Sequence, residues 1–428
     1  MSEQKSTNFN TLAIHAGAAP DPATGARATP IYQTTSYVFD DHEHAQALFG
    51  LQAFGNIYTR IMNPTQAVLE ERVAALEGGT AALAVASGHA AQHLVAFTLF
   101  EPGDEFVAAR QLYGGSINQF GQAFKKFDWH VQWADAHNPE SFREAIAEKT
   151  KAIFIESIAN PGGIVVDVEA IAKIAQEANI PLIVDNTFAT PYLIRPKDYG
   201  ANIVIHSLTK FIGGQGNSIG GIVVDCGNFD WLATDKYPTL SQPCESYNGM
   251  VLGETFGDFA FAIACRVLGL RDLGACIAPM NAFLIMNGLE TLPLRMQRHC
   301  DNALEVAKYL NQHPKVAWVN YAGLPDNDYH ALAQKYCPSG AGAVFTFGLK
   351  GGYESGVSLV ANVNMFSHLA NVGDAKSLII HPASTTHSQL SDDAKEKAGA
   401  GNDVVRISIG IEHIDDIIAD IEQALDKA

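Results

Sequence analysis

The chain has 428 residues, more than a single hydrophobic core usually supports, so we expect two domains and an extension. Its formal net charge of −18 disfavours nucleic acid or an anionic membrane as a partner. The 6 cysteines lack the spacing of a metal site, and no apolar segment is typical of a signal peptide or a membrane span, so we predict a cytoplasmic protein with reduced thiols and no metal.

Residues 1–62 contain few of the periodic signals that mark helices or strands. They end in Tyr58 and Arg60, and the sequence leaves open whether these are a buried tyrosine beside a surface arginine or an anion-binding pair. A guanidinium offers two parallel donors to a phosphate, and a tyrosine offers a third. We predict that residues 1–62 form an N-terminal arm.

From residue 63 to about residue 275, helical segments alternate with short apolar runs. The first helix is predicted to begin at Pro64, with Asn63 as its cap, and to end at Gly78. The apolar runs predicted to be strands cover residues 106–108, 153–155, 182–184, 203–205 and 222–224. This alternation predicts an α/β domain with a largely parallel sheet. Beyond about residue 275, longer helices and fewer strands predict a smaller α+β domain.

A candidate phosphate site follows the apolar run at residues 82–86. Ser87 and Gly88 come next, and small residues suited to the start of a helix follow them. Backbone amides at the amino end of a helix bind phosphate, and a glycine lets the ligand approach closely. The alternative for this turn is a plain connection between two elements.

The most informative residues are a carboxylate and a lysine that follow two apolar runs. Asp185 comes after residues 182–184, and Lys210 stands just after residues 203–205, between Ser207 and Thr209 on one side and two glycines on the other. Because ligands of open α/β sheets bind at the carboxyl ends of the strands, Asp185 and Lys210 are expected to face one pocket.

Pyridoxal phosphate needs this pair. The lysine forms a Schiff base with the aldehyde, the carboxylate keeps the ring nitrogen protonated, and Ser207 and Thr209 are placed to hold the phosphate. The alternatives are a solvated surface lysine and, for Asp185, a helix cap or a strand-end turn.

The C-terminal region adds a candidate substrate clamp. Residues 404–409 alternate as a strand does, and Arg406 on that strand suits the α-carboxylate of an amino acid; the alternative is a charge on an edge strand. His381 and His387 are six positions apart, which is not a convincing spacing for metal ligands, and we interpret them as structural hydrogen-bonding residues.

Taken in order, these motifs resemble the Cys/Met-metabolism family of pyridoxal-phosphate enzymes over nearly the whole chain. The matching motifs lie at residues 58–60, 63–65, 87–88, 112–115, 156–161, 185–187, 207–210, 381–384 and 406–410. The resemblance implies fold type I, which is aspartate-aminotransferase-like, with a mainly parallel seven-stranded sheet and a smaller C-terminal α+β domain. The predicted domains are 1–62 for the arm, 63–275 for the cofactor-binding α/β domain and 276–428 for the C-terminal domain.

The resemblance also implies a role for each matching residue. Lys210 is the Schiff-base lysine and proton carrier, and Tyr113 stacks on the ring and can act as an acid toward the leaving group. The remaining cofactor-binding residues are Asp185, Ser207, Thr209, Gly88, His89, Asn160, Tyr58 and Arg60, and the substrate-binding residues are Arg406 and Asn371. His89 departs from the methionine that is common in the family, but a backbone amide contact survives that change.

The resemblance assigns Tyr58 and Arg60 to the phosphate of a neighbouring subunit's cofactor. It therefore implies a homo-oligomer in which residues 1–62 contact the neighbour, as a tetramer built from two dimers.

Three departures from relatives narrow the expected reaction. Gly115 stands where methionine γ-lyases carry a cysteine, Asn118 stands where cystathionine synthases and γ-lyases have an arginine, and Asn371 stands where lyases often have a serine. The glycine-rich run at 213–221 and the stretch at 230–271 resemble the sulfhydrylases of the family. We expect O-acetylhomoserine and sulfide to give homocysteine and acetate, with methanethiol as a second nucleophile. The alternatives are a cystathionine γ-synthase, a γ-lyase, and a non-enzymatic pyridoxal-phosphate carrier or regulator.

Overall fold

The computed structural model describes residues 7–386, 388–389, 391–397 and 399–428. The strands are β1 Ala81–Val85, β2 Glu105–Ala109, β3 His130–Ala134, β4 Thr150–Glu156, β5 Ile158–Ala159, β6 Ile164–Val165, β7 Leu182–Asp185, β8 Ile203–Ser207, β9 Gly221–Asp225, β10 Val316–Asn320, β11 Val344–Leu349, β12 Ser367–His368, β13 Leu378–Ile380 and β14 Val404–Ser408. The α-helices are α1 Phe9–His15, α2 His42–Phe49, α3 Pro64–Glu77, α4 Gly88–Leu99, α5 Gly114–Asn118, α6 Glu140–Ala145, α7 Val168–Glu177, α8 Thr190–Leu193, α9 Pro238–Ser241, α10 Leu252–Phe256, α11 Ala260–Ala264, α12 Arg271–Leu273, α13 Pro279–Glu290, α14 Leu292–Gln312, α15 His330–Tyr336, α16 Gly352–Asn362, α17 Asp392–Lys397 and α18 Ile414–Leu425.

Seven strands form the larger sheet, in the order β1-β9-β8-β7-β4-β2-β3. Strand β9 runs antiparallel to both of its neighbours, and the pairs from β8 to β3 are parallel. Successive residues of β8 and β9 are buried, which requires that both faces of the sheet are covered, and helices α3, α4, α6 and α7 pack against it. The predicted seven-stranded, mainly parallel sheet is therefore confirmed.

A second sheet lies in the C-terminal part of the chain, in the order β10-β11-β14-β13-β12. Helices α14 and α16 pack on its strands, and α18 packs on both helices, which agrees with the predicted α+β texture. Strand β14 lies between β11 and β13, so Arg406 is not on an edge strand. The boundaries at residues 62 and 275 stay a prediction.

The local signals around α3 are borne out. The Asn63 side chain caps the helix by accepting a hydrogen bond from the backbone N–H of Thr65 at 2.9 Å. Gly78 ends the helix with a φ of +73°, a left-handed conformation that glycine adopts without strain.

The scarcity of periodic signals in the arm predicts that it does not fold back on its own subunit, and this prediction is wrong for its first helix. The ring of Phe9 lies 5.5 Å from that of Tyr192, Ala13 is fully buried, and α1 packs against α3, α13 and α14. The periodicity of α1 is too short to be recognised, because a helix of this length has fewer than two full repeats of the apolar pattern. Within the described ranges, no helix has the length and apolar character needed to cross a bilayer.

Candidate active site

The ends of the parallel strands form the floor of a cavity of about 220 Å³. Glu156 ends β4, Asp185 ends β7 and Ser207 ends β8, so the sheet order itself brings the three residues to one edge. The predicted site residues that line this cavity are Gly88, His89, Tyr113, Asn160, Asp185, Ser207, Thr209, Lys210, Asn371 and Arg406.

One wall of the cavity is the amino end of helix α4. The hydroxyl of Ser87 caps this helix by accepting from the backbone N–H of Ala90 at 3.1 Å, and the N–H groups of the first turn have no acceptor within the helix. A Cβ atom at Gly88 would lie 2.9 Å from Cβ of Ser207, so a side chain there would fill the space between α4 and β8. The arrangement suits a phosphate held by backbone amides.

The hydroxyl side chains of Ser207, the last residue of β8, and Thr209 lie at the same wall. The backbone N–H of Ser207 donates to the hydroxyl of Thr187 at 2.8 Å, which holds the end of β8 beside the end of β7. The hydroxyl of Thr209 lies within 3.2 Å of both the N–H and the carbonyl oxygen of Gly220. The Thr209 hydroxyl therefore ties the lysine segment to the glycine-rich run as well as lining the cavity.

Lys210 is the amine of the cavity. Its Nζ donates a hydrogen bond to Oδ1 of Asn371, which reaches the site from the loop between β12 and β13. Burial, with the nearby Arg406 as a second cause, lowers the pKa of Lys210 to about 8. A larger share of neutral, nucleophilic amine at neutral pH follows from this environment.

Two carboxylates lie side by side on the floor. Asp185 and Glu156 are paired in the register of β7 and β4, and burial raises the pKa of both groups. Oδ1 of Asp185 also accepts from the backbone N–H and the hydroxyl of Thr187, at 3.0 and 2.5 Å, so the strand-end turn considered for Asp185 is present as well. A cation bound beside Asp185 would stabilise the ionised pair.

Arg406 forms the opposite side of the cavity. It is 6% exposed, and its Nη1 donates to Oδ1 of Asn160 at 3.0 Å. Burial lowers the pKa of Arg406 to about 10, which leaves the guanidinium charged at neutral pH. A buried guanidinium with one side-chain partner is well suited to a substrate carboxylate.

The rings of His89 and Tyr113 form an aromatic rim. Their centroids are 5.8 Å apart, and Tyr113 is 48% exposed. A Cβ atom at Gly115 would lie 2.3 Å from Cε1 of Tyr113 and 2.9 Å from Cε1 of His89. The two rings thus occupy the space that a side chain at position 115 would need.

Tyr58 and Arg60 do not line the cavity of their own chain. The guanidinium of Arg60 donates to the carbonyl oxygen of Arg271 and lies 5.4 Å from the centroid of the Tyr58 ring. His381 hydrogen bonds to the hydroxyl of Ser384 and the carbonyl oxygen of Asn402, as a structural residue does. His387 lies outside the described residues.

Sequence reasoning missed several residues of the site. Glu156, Gln92 and Phe188 line the cavity, and Thr187 supports Asp185. For Glu156 a usable signal exists, because an acidic residue ends an apolar strand there just as Asp185 does on β7. For Gln92 and Phe188 no local signal distinguishes them from core residues.

A family model described as Cys/Met metabolism PLP-dependent enzyme matches residues 10–426. An O-acetyl-L-homoserine sulfhydrylase of Leptospira meyeri is 50% identical, over 99% of this chain and 98% of that protein. O-acetyl-L-homoserine sulfhydrylase 1 of Thermus thermophilus is 51% identical, over 97% of this chain and 99% of its own length. The chain belongs to the Cys/Met-metabolism family of PLP-dependent enzymes.

A solved structure of the same fold supports the family's lysine chemistry. The crystal structure of a candidate O-acetylhomoserine (thiol)-lyase from Campylobacter jejuni, which contains N'-pyridoxyl-lysine-5'-monophosphate, superimposes with a TM-score of 0.95. It is 41% identical, and the match covers 98% of this chain and 100% of that chain.

The cavity fits the cofactor of the family. Pyridoxal phosphate carries an anion, a ring nitrogen that binds a proton, and an aldehyde. The amino end of α4 suits the anion, the buried pair of Asp185 and Glu156 favours a cation, and Lys210 supplies an amine with a lowered pKa.

The lowered pKa of Lys210 predicts how cofactor capture depends on pH. Only the neutral amine attacks an aldehyde, so we expect the rate at which cofactor-free protein captures pyridoxal phosphate to rise with pH and to level off above about 8, the pKa of Lys210. Stopped-flow absorbance measures this rate directly. A rate that climbs on toward 10.5, the ordinary lysine value, would contradict the assignment of a buried amine.

Proposed function

We propose that this chain is an O-acetyl-L-homoserine sulfhydrylase, which converts O-acetyl-L-homoserine and sulfide into L-homocysteine and acetate. The choice of substrate rests on the cationic side chains of the cavity. Among the described lining residues, Lys210 supplies one amine and Arg406 supplies one guanidinium. One guanidinium serves one carboxylate, so a substrate with an α-carboxylate and a neutral acyl group fits best. Methanethiol is proposed as a second nucleophile, giving methionine.

Each residue has a task that follows from its place in the cavity. Arg406, oriented by Asn160, binds the α-carboxylate. When bound, pyridoxal phosphate would withdraw electrons from the substrate carbons next to the amine, and Asp185 would hold the ring nitrogen in its protonated form. Nζ of Lys210 then takes the proton from Cα and later from Cβ of the substrate, because its pKa of about 8 suits both removal and return of a proton.

The exchange at Cγ breaks the C–O bond and forms a C–S bond. Acetate leaves with the bonding electrons, and Tyr113, on the rim of the cavity, is placed to donate a hydrogen bond to it. Hydrosulfide supplies the electron pair of the new bond and keeps its proton as the thiol. Nζ of Lys210 carries one proton at a time, so the other would be held on the bound cofactor until a proton returns to Cβ and then to Cα. The rim at Gly115 is filled by the rings of Tyr113 and His89, which leaves no room for a side chain like the cysteine of methionine γ-lyases.

An assay with three donors tests the substrate and the reaction together. O-acetylhomoserine, O-succinylhomoserine and O-acetylserine are each incubated with the purified holoenzyme, with and without sulfide, and the thiol product is identified by mass spectrometry. We expect homocysteine from O-acetylhomoserine as the main product. A keto acid formed at the same rate without sulfide would instead indicate a γ-lyase, and faster turnover of the succinyl ester would indicate a second carboxylate site.

We also propose that the functional unit is at least a dimer, and that two dimers form a tetramer. The arm beyond α1 carries strongly exposed apolar side chains, with Val38 at 96% and Phe54 at 73% exposure. Tyr58 and Arg60 lie at the end of that arm and away from the cavity of their own chain. A second copy of the chain covers such a surface and receives Arg60 at its phosphate site.

Mixing two inactive variants tests this arrangement. Arg60→Ala damages the site that receives the arm, whereas Lys210→Ala damages the site of its own chain, so a hybrid dimer has one site with both residues intact. Because random exchange makes about half of the dimers hybrids, with one intact site of two, we expect about a quarter of the wild-type activity per subunit. Activity no higher than in the separate variants, with hybrids verified by native mass spectrometry, would show that the arm serves its own subunit.

A further inference from the structure

The carboxylate of Glu156, on the floor of the cavity, accepts hydrogen bonds from two different segments of the chain. It is 5% exposed at the end of β4. Its Oε1 accepts from the backbone N–H of Tyr113 at 2.7 Å, and its Oε2 accepts from the backbone N–H of Asn160 at 2.8 Å. Each oxygen therefore holds a different segment of the chain in place.

The two segments have different tasks in the proposed reaction. The first enters α5 and carries the ring of Tyr113 at the rim of the cavity. The second carries Asn160, whose Oδ1 accepts from Nη1 of Arg406 at 3.0 Å. Glu156 thus connects the aromatic wall to the clamp for the substrate α-carboxylate. The connection consists of its two hydrogen bonds and the hydrogen bond between Asn160 and Arg406.

We propose that Glu156 is a positioning residue that sets the aromatic wall and the α-carboxylate clamp together. The link to Arg406 rests on the function proposed above, because it assumes that Arg406 binds the α-carboxylate of the substrate. The link to the aromatic wall does not depend on that function. Glu156 acts through Tyr113 and Asn160, and it is not itself a proton carrier.

The residue type is required by the geometry. A carboxylate has an acceptor on each side, whereas the amide of a glutamine would turn its NH2 group toward one of the two backbone N–H groups. An aspartate keeps the charge but is one methylene shorter, so it cannot reach both segments. Asp185, the other carboxylate of the floor, bonds instead to Thr187 within its own turn.

The test compares Glu156→Gln with the wild-type holoenzyme and with Glu101→Gln, the same change at an exposed position in the loop before β2. We expect Glu156→Gln to raise KM for O-acetylhomoserine and to weaken the affinity for pyridoxal phosphate, each by about tenfold, because both hydrogen bonds lose their charge assistance and the NH2 group opposes one of the two backbone N–H groups. Glu101→Gln is expected to match the wild type in both. Circular dichroism and the unfolding temperature report whether the variant is folded.

Two double-mutant cycles separate positioning from general damage. In an Arg406→Lys background, Glu156→Gln is expected to change KM by less than about threefold. In a Tyr113→Ala background, it is expected to change the cofactor affinity by less than about threefold. In each background the group that Glu156 positions is already lost. Full additivity in both cycles would overturn the proposal. So would a Glu156→Gln protein with a lowered unfolding temperature but unchanged KM and cofactor affinity.

The cofactor affinity is measured by equilibrium dialysis without any sulfur substrate. It therefore tests the positioning of the aromatic wall even if the enzyme makes another product. Failure of the three-donor assay alone would contradict only the proposed reaction. If Glu156→Gln does not fold, Glu156→Asp is used in its place, with smaller shifts expected in the same two quantities. Wild-type values for a folded Glu156→Asp protein would refute the proposal.

Discussion

Replacing Lys210 with alanine is expected to abolish both turnover and the covalent attachment of the cofactor. Among the described residues that line the cavity, Lys210 supplies the amine, and burial lowers the pKa of Lys210 to about 8. Loss of a proton carrier alone costs about 10²- to 10⁴-fold in rate, and loss of the Schiff-base partner adds to this. The measurement is homocysteine formation, together with the mass of the protein after borohydride reduction, which fixes a Schiff base permanently.

Lys173→Ala provides a matched control, because Lys173 is exposed on α7. This variant is expected to retain wild-type turnover and to gain the mass of the cofactor on reduction. If Lys210→Ala protein also gained that mass, or kept turnover within tenfold of the wild type, another lysine would carry the cofactor and the assignment of Lys210 would be wrong.

Asp185→Asn is expected to bind the cofactor and yet lose most of its turnover. An amide is close in size to a carboxylate and can still accept from Thr187, so the turn at the end of β7 is retained. It carries no charge, so it no longer favours the protonated form of the ring nitrogen as the carboxylate does. Electrostatic contributions of this kind are worth roughly 10²- to 10³-fold in rate.

The measurement compares kcat with the cofactor affinity of the same preparation. Asp326→Asn, the same change at an exposed position, is expected to leave both unchanged. Turnover of Asp185→Asn equal to that of the wild type, at full cofactor occupancy, would show that Asp185 does not support the ring charge and serves only the turn with Thr187.

Much of the fold could be predicted because its signals are local. The apolar runs that become β2, β4, β7, β8 and β9 are short and bounded by polar or glycine residues, and burial on both faces makes such runs continuous. The cap at Asn63 and the stop at Gly78 lie within a few residues of the backbone groups they serve. The structure of the arm was harder to predict from the sequence, because α1 is short and is stabilised by contacts with α3, α13 and α14.

The candidate site was predictable where a residue type and its place at a strand end coincide. Asp185 and Lys210 meet that condition, and Arg406 was recognised instead by its place on an alternating strand; the structure places all three in one cavity. Gln92 and Phe188 could not be predicted in this way, because they belong to the site only by facing a cavity that the local sequence does not reveal.

What the sequence by itself determined is the chemistry available: an amine among hydroxyls and glycines, carboxylates at strand ends, and a guanidinium on an alternating strand. Only the tertiary structure decided which of these groups meet. The order of the sheet puts β4 between β2 and β7, so Glu156 reaches both Asp185 and the segment that carries Tyr113. Strand order depends on crossover connections between distant parts of the chain, whereas a local pattern reports only the environment of its own element.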